Sequence, residues 1–248
     1  MTISILTLFP EMFTGPFDYS IIRNAIKKNL VKINFINIRD FGIGRHKIVD
    51  DKPYGGGKGM VMRVDVLERA IQEAKKLYKS YSGKKLKSRD QRIILLDATG
   101  KTFNQKKAVE LSGLKHLIFV CGHYEGVDVR VKEFVDEVIS IGDFIATGGE
   151  IPTMLLVDSV VRLVKNVLPK NVVSEESFSN IIKGGNYLEY PQYTRPGKFK
   201  KLTVPKSLLS GNHRKIRKWR ENQATDITKK SRPDLINKSK TERMPKKY

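Results

Sequence analysis

Apolar and polar residues along the chain repeat with two periods, and the shorter period marks strands. Residues 2–8 and 31–38 alternate between apolar and polar positions, which predicts two β-strands. Residues 93–96 and 117–121 are continuous apolar runs, and residues 137–141 form a further short apolar segment. Continuous apolar runs of this length are typical of strands that are buried on both faces of a parallel sheet.

The longer period marks helices. Residues 18–30 and 65–77 place apolar side chains three or four positions apart, which predicts two amphipathic helices, the second of them capped by Asp65. A third helix is predicted to open at Pro152, after a turn with paired glycines. Because strands alternate with helices, the predicted fold class of residues 1–165 is α/β with a parallel sheet.

The pattern changes after this first domain. Residues 166–186 have little periodicity and indicate an interdomain linker that contains the polar segment SEESFSN. Residues 187–248 contain short helical segments rich in Lys and Arg, with Ile216 and Trp219 spaced to share one face. They predict a small helical C-terminal domain, whose residues 229–248 we expect to form a partly ordered tail.

The chain carries a large excess of positive charge. Its 248 residues include 47 Lys and Arg against 26 Asp and Glu, a formal net charge of +21 at pH 7. Residues 197–248 alone hold 17 basic and 4 acidic residues, and a second basic cluster covers residues 84–89. A polyanionic partner is predicted, because each phosphate that a protein neutralises releases counterions. On charge alone, a lysine-rich but merely solvated surface stays as the alternative.

The single cysteine and the lengths of the apolar runs indicate a cytoplasmic protein. Cys121 excludes an internal disulfide, suits a reducing compartment and lies in the apolar run 117–121, where we expect a packed core thiol rather than a nucleophile. That run is far too short to span a bilayer, and no signal peptide is evident at the N-terminus. No His and Cys residues have zinc-site spacing, so no metal ligand is predicted.

Glycine-rich turns are the candidate binding elements, although they match no common phosphate motif. The segment DATGKT at 97–102 follows a strand, but Leu95 stands where a P-loop requires glycine, so an NTPase site is excluded. The chain also contains no G-x-G-x-x-G segment, so a dinucleotide-binding Rossmann site is unsupported.

Three of these turns follow three predicted strands, as the segments LDATGK, CGHYEG and IGDFIATGG. Ligands of open α/β sheets bind beyond the carboxyl ends of the strands, so we expect the turns to form one pocket. Their glycines expose backbone groups, and Glu125 is available for a positive or hydroxylated group of the ligand. The alternative is that these glycines only make tight strand exits.

A fourth glycine-rich segment, DDKPYGGGKGM at 50–60, is too long for a simple hairpin and indicates close backbone approach to a flat or charged ligand. The histidines at 46, 123 and 213 share no spacing that indicates a common site, and from the sequence alone a satisfied surface residue is an open interpretation for each.

Taken together, these segments resemble those of the bacterial tRNA (guanine-N1)-methyltransferases, the TrmD family of the SPOUT superfamily. The resemblance covers nearly the whole chain in one order. It is carried by the segments LFPEMF, RDF, RH, VDDKPYGGGKGM, CGHYEGVD, SIGDFIATGGEIP, DSVVRL, YPQYTRP, LLSGNH and IRKWR.

The resemblance implies a trefoil-knotted parallel sheet with flanking helices, an obligate homodimer, and transfer of a methyl group from S-adenosyl-L-methionine to guanine 37 of tRNA. Stimulation by Mg²⁺ and an active site at the subunit interface are implied as well. The cofactor-binding residues that it implies are Leu96, Asp97, Ala98, Gly122, Tyr124, Glu125, Ser140, Ile141, Gly142, Phe144, Ile145, Ala146, Gly148, Gly149 and Pro152.

For the reaction and the tRNA, the resemblance implies two further sets of residues. Glu176 matches the family's general base, and Arg162 matches the arginine that stabilises charge on the guanine oxygen. The implied substrate-binding residues are Tyr54, Gly55, Gly57, Gly59, Ser177, Tyr193, Arg195, Ser210, Gly211, Asn212 and His213.

The chain departs from the family pattern at two places. Glu176 stands where the family has Asp, so its carboxylate has one methylene more to accommodate. Asp97 and Ala98 stand where Ser-Pro or Thr-Pro is usual, and we expect only backbone contacts from them. Two alternative functions stay open from the sequence: a related knotted methyltransferase with another RNA target, and a catalytically weakened RNA-binding module.

Overall fold

The computed structural model describes residues 1–83, 86–169, 172–173, 176–178 and 187–236. The chain divides into two compact units, Met1–Leu168 and Pro169–Tyr248. Each unit is described by itself.

The first unit is built on a five-stranded sheet in which every neighbouring pair of strands is parallel. Its strands lie in the spatial order β2-β1-β6-β5-β7. Their bounds are β1 Thr2–Thr7, β2 Lys32–Asn37, β5 Gln91–Thr102, β6 His116–Cys121 and β7 Glu137–Ser140. Two further strands, β3 (Asp50–Asp51) and β4 (Val61–Met62), pair antiparallel as a separate ribbon. The predicted α/β class with a parallel sheet is confirmed.

The described residues of this unit form four α-helices. They are α1 Ser20–Lys27, α2 Val64–Ser82, α3 Gln105–Ser112 and α4 Glu150–Val161. Short 3-10 helices cover Pro10–Phe13, Ile38–Phe41, Ser88–Asp90 and Val129–Phe134.

The sheet has a hydrophobic core on each face, as the continuous apolar strands predict. In β6, Leu117 and Phe119 pack into a core with α1, α3 and α4, whereas Ile118 and Val120 pack into a second core with α2. All six residues of β6 are buried. Burial on both faces places the strand ends, rather than a sheet face, at the surface where a ligand can bind.

Strand β5 differs from its prediction. We expected a strand over 93–96 followed by a turn, but β5 continues to Thr102. Leu96 and Lys101 both pair with Ile139 of β7, so the residues between them form an irregular bulge inside a continuous strand. The predicted turn is wrong because pairing with β7 resumes beyond the glycine.

Two helix starts also differ. Asp65 is not the cap of α2: the helix begins at Val64, and Asp65 lies in its first turn, where it forms an ion pair with Arg63 at 3.1 Å. A carboxylate in this position is favourable without capping, since it complements the helix dipole. Helix α4 begins at Glu150, so Pro152 lies inside its first turn, where its missing N–H costs no hydrogen bond.

The described residues of the second unit include a two-stranded ribbon and two helices with defined bounds. Strands β8 (Lys198–Phe199) and β9 (Leu202–Thr203) pair antiparallel, and helices α5 (Lys206–Leu209) and α6 (His213–Ser231) follow. The backbone N–H of Leu188 donates to the buried hydroxyl of Thr228 at 2.9 Å, which ties the start of this region to α6.

Part of the predicted linker and tail lies outside the described residues. Within the predicted linker 166–186, residues 170–171, 174–175 and 179–186 are outside; of the predicted tail, residues 237–248 are outside. The tail prediction begins too early, because α6 continues to Ser231.

Candidate active site

One pocket lies at the carboxyl ends of β6 and β7, next to the bulge inside β5. All fifteen residues that the resemblance implies for the cofactor line it, although they come from three separate segments of the chain. Five more residues share the lining: His123, Gly126, Val127, Ile139 and Thr147. The predicted meeting of the three glycine segments in one pocket is therefore confirmed, while the ligand of the pocket stays a prediction.

The pocket is held together by backbone contacts between its segments. The N–H of Gly149 donates to the carbonyl of Gly122 at 2.8 Å. An added Cβ at Gly149 would lie 2.7 Å from Cα of Cys121 and 2.9 Å from N of Gly122. Gly149 therefore lets α4 start against the end of β6, and its close approach is to the protein's own backbone rather than to open pocket space.

The segment after β7 gives the pocket its apolar wall. The hydroxyl of Ser140 donates to the carbonyl of Gly142 at 3.1 Å, and Gly142 has a φ of +148°, which favours glycine. Beyond this turn, Phe144 and Ile145 line the pocket although both side chains are exposed. Exposed apolar side chains beside backbone hydrogen-bonding groups suit a flat heterocycle such as adenine.

The glycine-rich segment 50–60 docks beside this pocket. The N–H of Glu125 donates to the carbonyl of Met60 at 3.1 Å, and the N–H of Met62 donates to the carbonyl of Gly126 at 3.0 Å. An added Cβ at Gly59, whose φ is +79°, would collide with the side chain of Glu125. Glycine at position 59 therefore leaves room for the side chain of Glu125, whose carboxylate is predicted to contact the ligand.

The other residues of this segment that are predicted to bind substrate are exposed to solvent. Tyr54 is fully exposed. Gly55 and Gly57 have φ values of +84° and +130°, so the turn needs glycine for its backbone conformation.

A buried polar cluster stands behind the pocket, and the sequence interpretation missed it. Glu150, in the first turn of α4, is only 1% exposed, and the hydroxyl of Thr7 donates to its Oε1 at 2.8 Å. Nδ1 of His123 lies 3.9 Å from Oε2 of the same carboxylate. Nδ1 is buried and has no hydrogen-bond partner among the described residues, so the interpretation of His123 as a satisfied surface residue is wrong.

Cys121 is a core thiol, as predicted. It is fully buried, and its Sγ lies 3.2 Å from the hydroxyl of Thr153. Burial, with the negative charge of Glu150 nearby, raises the pKa of the Cys121 thiol far above its usual range. A thiol that stays protonated is a poor nucleophile.

The two predicted catalytic residues do not line this pocket. Arg162 directly follows α4, whose first turn borders the pocket. Arg162 lies twelve positions after Glu150, a rise of about 18 Å along the helix axis. Glu176 belongs to the second unit.

The remaining predicted substrate-binding residues also belong to the second unit. The hydroxyl of Ser177 accepts the N–H of Glu189 at 2.9 Å, and Arg195 is exposed. The ring of Tyr193 contacts that of Trp219, with centroids 6.1 Å apart.

The SGNH segment, residues 210–213, forms the entry to α6. Asn212 caps the helix by accepting the N–H of Lys215 at 3.0 Å, and Gly211 has a φ of +65°. Ser210 accepts the N–H of Asn212 at 3.3 Å, and His213 is the first helical residue. The capping turn leaves the basic first turns of α6 exposed at a helix N-terminus, an arrangement suited to anions.

The described residues contain no group of three or more His, Cys, Asp and Glu side chains that could hold a metal ion. Within the same residues, no helix combines the length and apolar character that a membrane span requires.

The fold and the pocket define an α/β domain with a ligand site at the carboxyl edge of a parallel sheet. A family model described as tRNA (Guanine-1)-methyltransferase TrmD matches residues 1–238, and the chain belongs to this family.

Individual relatives agree with this assignment. The chain is 51% identical over 238 residues to a tRNA (guanine-N(1)-)-methyltransferase of Carboxydothermus hydrogenoformans, covering 95% of this chain and 87% of the relative. It is 49% identical over 240 residues to a protein of the same name from Dictyoglomus turgidum, covering 96% and 91%. A third protein of that name, from Clostridium botulinum, is 49% identical over 248 residues, covering 100% and 96%.

Proposed function

We propose that this protein transfers a methyl group from S-adenosyl-L-methionine to N1 of guanine 37 in tRNA, next to the anticodon. One observation carries the proposal: the fifteen residues expected to bind the cofactor come from three distant segments and line a single pocket. Family membership supports the same reaction, because the relatives are named tRNA (guanine-N(1)-)-methyltransferases.

The residues of the pocket fit this cofactor. Phe144 and Ile145 offer apolar surface to adenine, the glycine turns offer backbone groups to its polar edges, and Glu125 offers a carboxylate to the ammonium group or hydroxyls. When bound, the cofactor supplies an electrophilic methyl group on a sulfonium. The protein's own task is to hold N1 of guanine in line with that methyl group and to remove the N1 proton.

We assign the proton transfer to Glu176 and the electrostatic role to Arg162. The carboxylate of Glu176 accepts the N1 proton, and the guanidinium of Arg162 stabilises the negative charge that gathers on the guanine oxygen. The hydroxyl of Ser177, next to the proposed base, accepts a hydrogen bond from the N–H of Glu189, which helps to order the backbone at this position.

The proposed active site needs two copies of the chain. Arg162 stands at the end of α4 away from the pocket of its own protomer, about 18 Å along the helix axis. Helix α4 also exposes Ile151 (57%) and Leu155 (47%), which lie one helical turn apart on one face. A second copy of the chain packed on this face would bury both side chains. Its Arg162 would then approach the pocket of the first copy.

The proposed domain roles follow the charge distribution. Residues 1–165 form the trefoil-knotted cofactor domain, residues 166–186 the linker, and residues 187–248 the basic helical domain that grips tRNA. The site of action is the cytoplasm, where the substrate tRNA is found. No described carboxylate cluster fits a resident Mg²⁺, so the mechanism above has no step through one.

A methyl-transfer assay tests the proposal. The protein is incubated with S-adenosylmethionine labelled in the methyl group and with tRNA transcripts that differ only at position 37. We expect label in the guanine-37 transcript and none in the adenine-37 transcript, with 1-methylguanosine recovered after digestion.

The same assay separates the alternatives. Equal label in both transcripts indicates another RNA target, and binding of both transcripts without any transfer indicates an RNA-binding module. Either result refutes the proposed reaction.

A further inference from the structure

The cluster of Thr7, His123 and Glu150 connects the first strand of the sheet to the pocket. Thr7, the last residue of β1, accepts the N–H of Phe9 at 2.9 Å and donates to Glu150 at 2.8 Å. The carboxylate of Glu150 is thereby fixed from one side. It also lies at the N-terminus of α4, where the helix dipole stabilises a negative charge.

On its other side, the carboxylate of Glu150 lies near His123 but forms no hydrogen bond with it. Nδ1 of His123 is 3.9 Å from Oε2 of Glu150, which is beyond hydrogen-bonding distance. Leaving a buried nitrogen without a hydrogen bond is unfavourable, and the two described rings that flank the imidazole, those of Phe9 and Tyr124, are both edge contacts at 5.0 Å. A shift of about 1 Å would form a charge-assisted hydrogen bond between Nδ1–H and the carboxylate.

The gap between the two groups is bordered by the pocket itself. His123 and Gly148 both line the pocket. An added Cβ at Gly148 would lie 2.5 Å from Oε2 of Glu150 and 2.6 Å from Nδ1 of His123, so glycine at 148 keeps the path between them clear. A ligand that presses on the segments carrying His123 and Gly148 therefore acts directly on the width of this gap.

We propose that His123 is a positioning residue that closes onto Glu150 when S-adenosylmethionine fills the pocket. The new hydrogen bond fixes the loop that carries Tyr124 and Glu125, the two neighbours of His123 expected to touch the cofactor. This inference rests on the proposed function, because it takes S-adenosylmethionine as the occupant.

Two substitutions at one position isolate the hydrogen bond. His123→Asn keeps an N–H donor attached to Cγ, as in the Nδ1–H form of histidine, whereas His123→Leu puts a methyl group there. Cofactor affinity is measured by calorimetry, and the thermal unfolding midpoint is measured for each protein without cofactor.

We expect His123→Leu to weaken S-adenosylmethionine binding by about 10- to 100-fold, the range for a hydrogen bond to a charged group. His123→Asn should stay within about threefold of the wild-type affinity. Because we propose that this hydrogen bond forms only with cofactor in the pocket, the unfolding midpoints of the two variants without cofactor should agree. In a Glu150→Gln background the difference in affinity between Leu and Asn should shrink, since the charged acceptor is gone.

The inference is overturned if Leu and Asn bind the cofactor equally well, or if their affinity difference is unchanged in the Glu150→Gln background. It is also overturned if the Leu variant loses thermal stability without cofactor and keeps its affinity, which would make His123 a structural residue. If the wild-type protein itself binds no S-adenosylmethionine, the proposed function fails instead.

Discussion

The amino end of the sheet, opposite the pocket, holds a buried histidine whose protonation should control the stability of the first unit. His116, the first residue of β6, is fully buried. Its Nε2 lies 2.9 Å from the hydroxyl of Ser4 and its Nδ1 lies 3.1 Å from Oε1 of Gln91. The imidazole also stacks on the ring of Tyr78, with centroids 4.8 Å apart. A fall in pH favours protonation of this imidazole.

The magnitude follows from the pKa. Burial lowers the pKa of His116 from 6.5 to about 4, because the charged imidazolium loses its hydration. The unfolded chain therefore binds a proton at higher pH than the folded protein does. Stability is full above pH 6.5 and falls as the pH drops toward 4. The total loss is about 3 kcal/mol, of which about 2 kcal/mol has occurred by pH 5.

The assay compares the wild-type protein with His116→Gln, which does not titrate but keeps a polar group near Ser4. Urea unfolding is followed by far-UV circular dichroism from pH 7.5 to 5. The remaining titratable groups are the same in both proteins, so the pH dependence of the difference in unfolding free energy reports the protonation of His116. We expect the stability advantage of the wild type over the variant to shrink by about 2 kcal/mol between these pH values. A difference that stays constant with pH would refute the reasoning.

Three other predictions follow from the pocket, the charge distribution and the proposed base. Gly149→Ala should lower the thermal unfolding midpoint by several degrees, because the added Cβ would collide with the backbone of Cys121. The control Gly113→Ala, whose added Cβ has its closest contact at 3.5 Å, should change the midpoint little. Equal midpoints in differential scanning calorimetry would contradict this geometry. Binding of tRNA should weaken by orders of magnitude between about 50 and 200 mM salt, because 17 basic residues lie within 197–248; a flat filter-binding titration would argue against phosphate contacts. Glu176→Gln should slow single-turnover methyl transfer by about 10²- to 10⁴-fold while both ligands still bind, whereas Glu176→Asp should retain substantial activity; an unchanged rate in Glu176→Gln would place the base elsewhere.

Much of the fold and the pocket could be predicted from the sequence because the signals are local. Continuous apolar runs such as 117–121 require burial on both faces, and the structure buries every residue of β6. Glycine segments after three such strands meet at one edge, since parallel strands end on the same side of a sheet. Strand type and direction were sufficient to predict that the three segments meet, whereas the fifteen individual pocket residues were implied by the family resemblance.

The parts that could not be predicted depend on contacts between distant segments. The hydrogen bond between Thr7 and Glu150 joins residues 143 positions apart, and neither position has a local pattern that reveals burial. An acidic residue directly after Gly148 and Gly149, at the start of a helix, was the one available signal. Gly149 lines the pocket as predicted, but its packing against the backbone of Cys121 also depends on a distant contact that the local sequence does not reveal.

The bulge in β5 also separates one part of the pocket rim from the strand pairing of the sheet. Leu96 before the bulge and Lys101 after it both pair with Ile139, so each end of the bulge is anchored to β7. Side chains between the anchors, such as those of Asp97 and Ala98, can be exchanged without moving the register of the sheet. Gly100 is the exception: a Cβ there would lie 2.5 Å from N of Ile139. Substitutions at this part of the pocket rim should therefore leave the supporting sheet unchanged, whereas a substitution at Gly100 should disturb it.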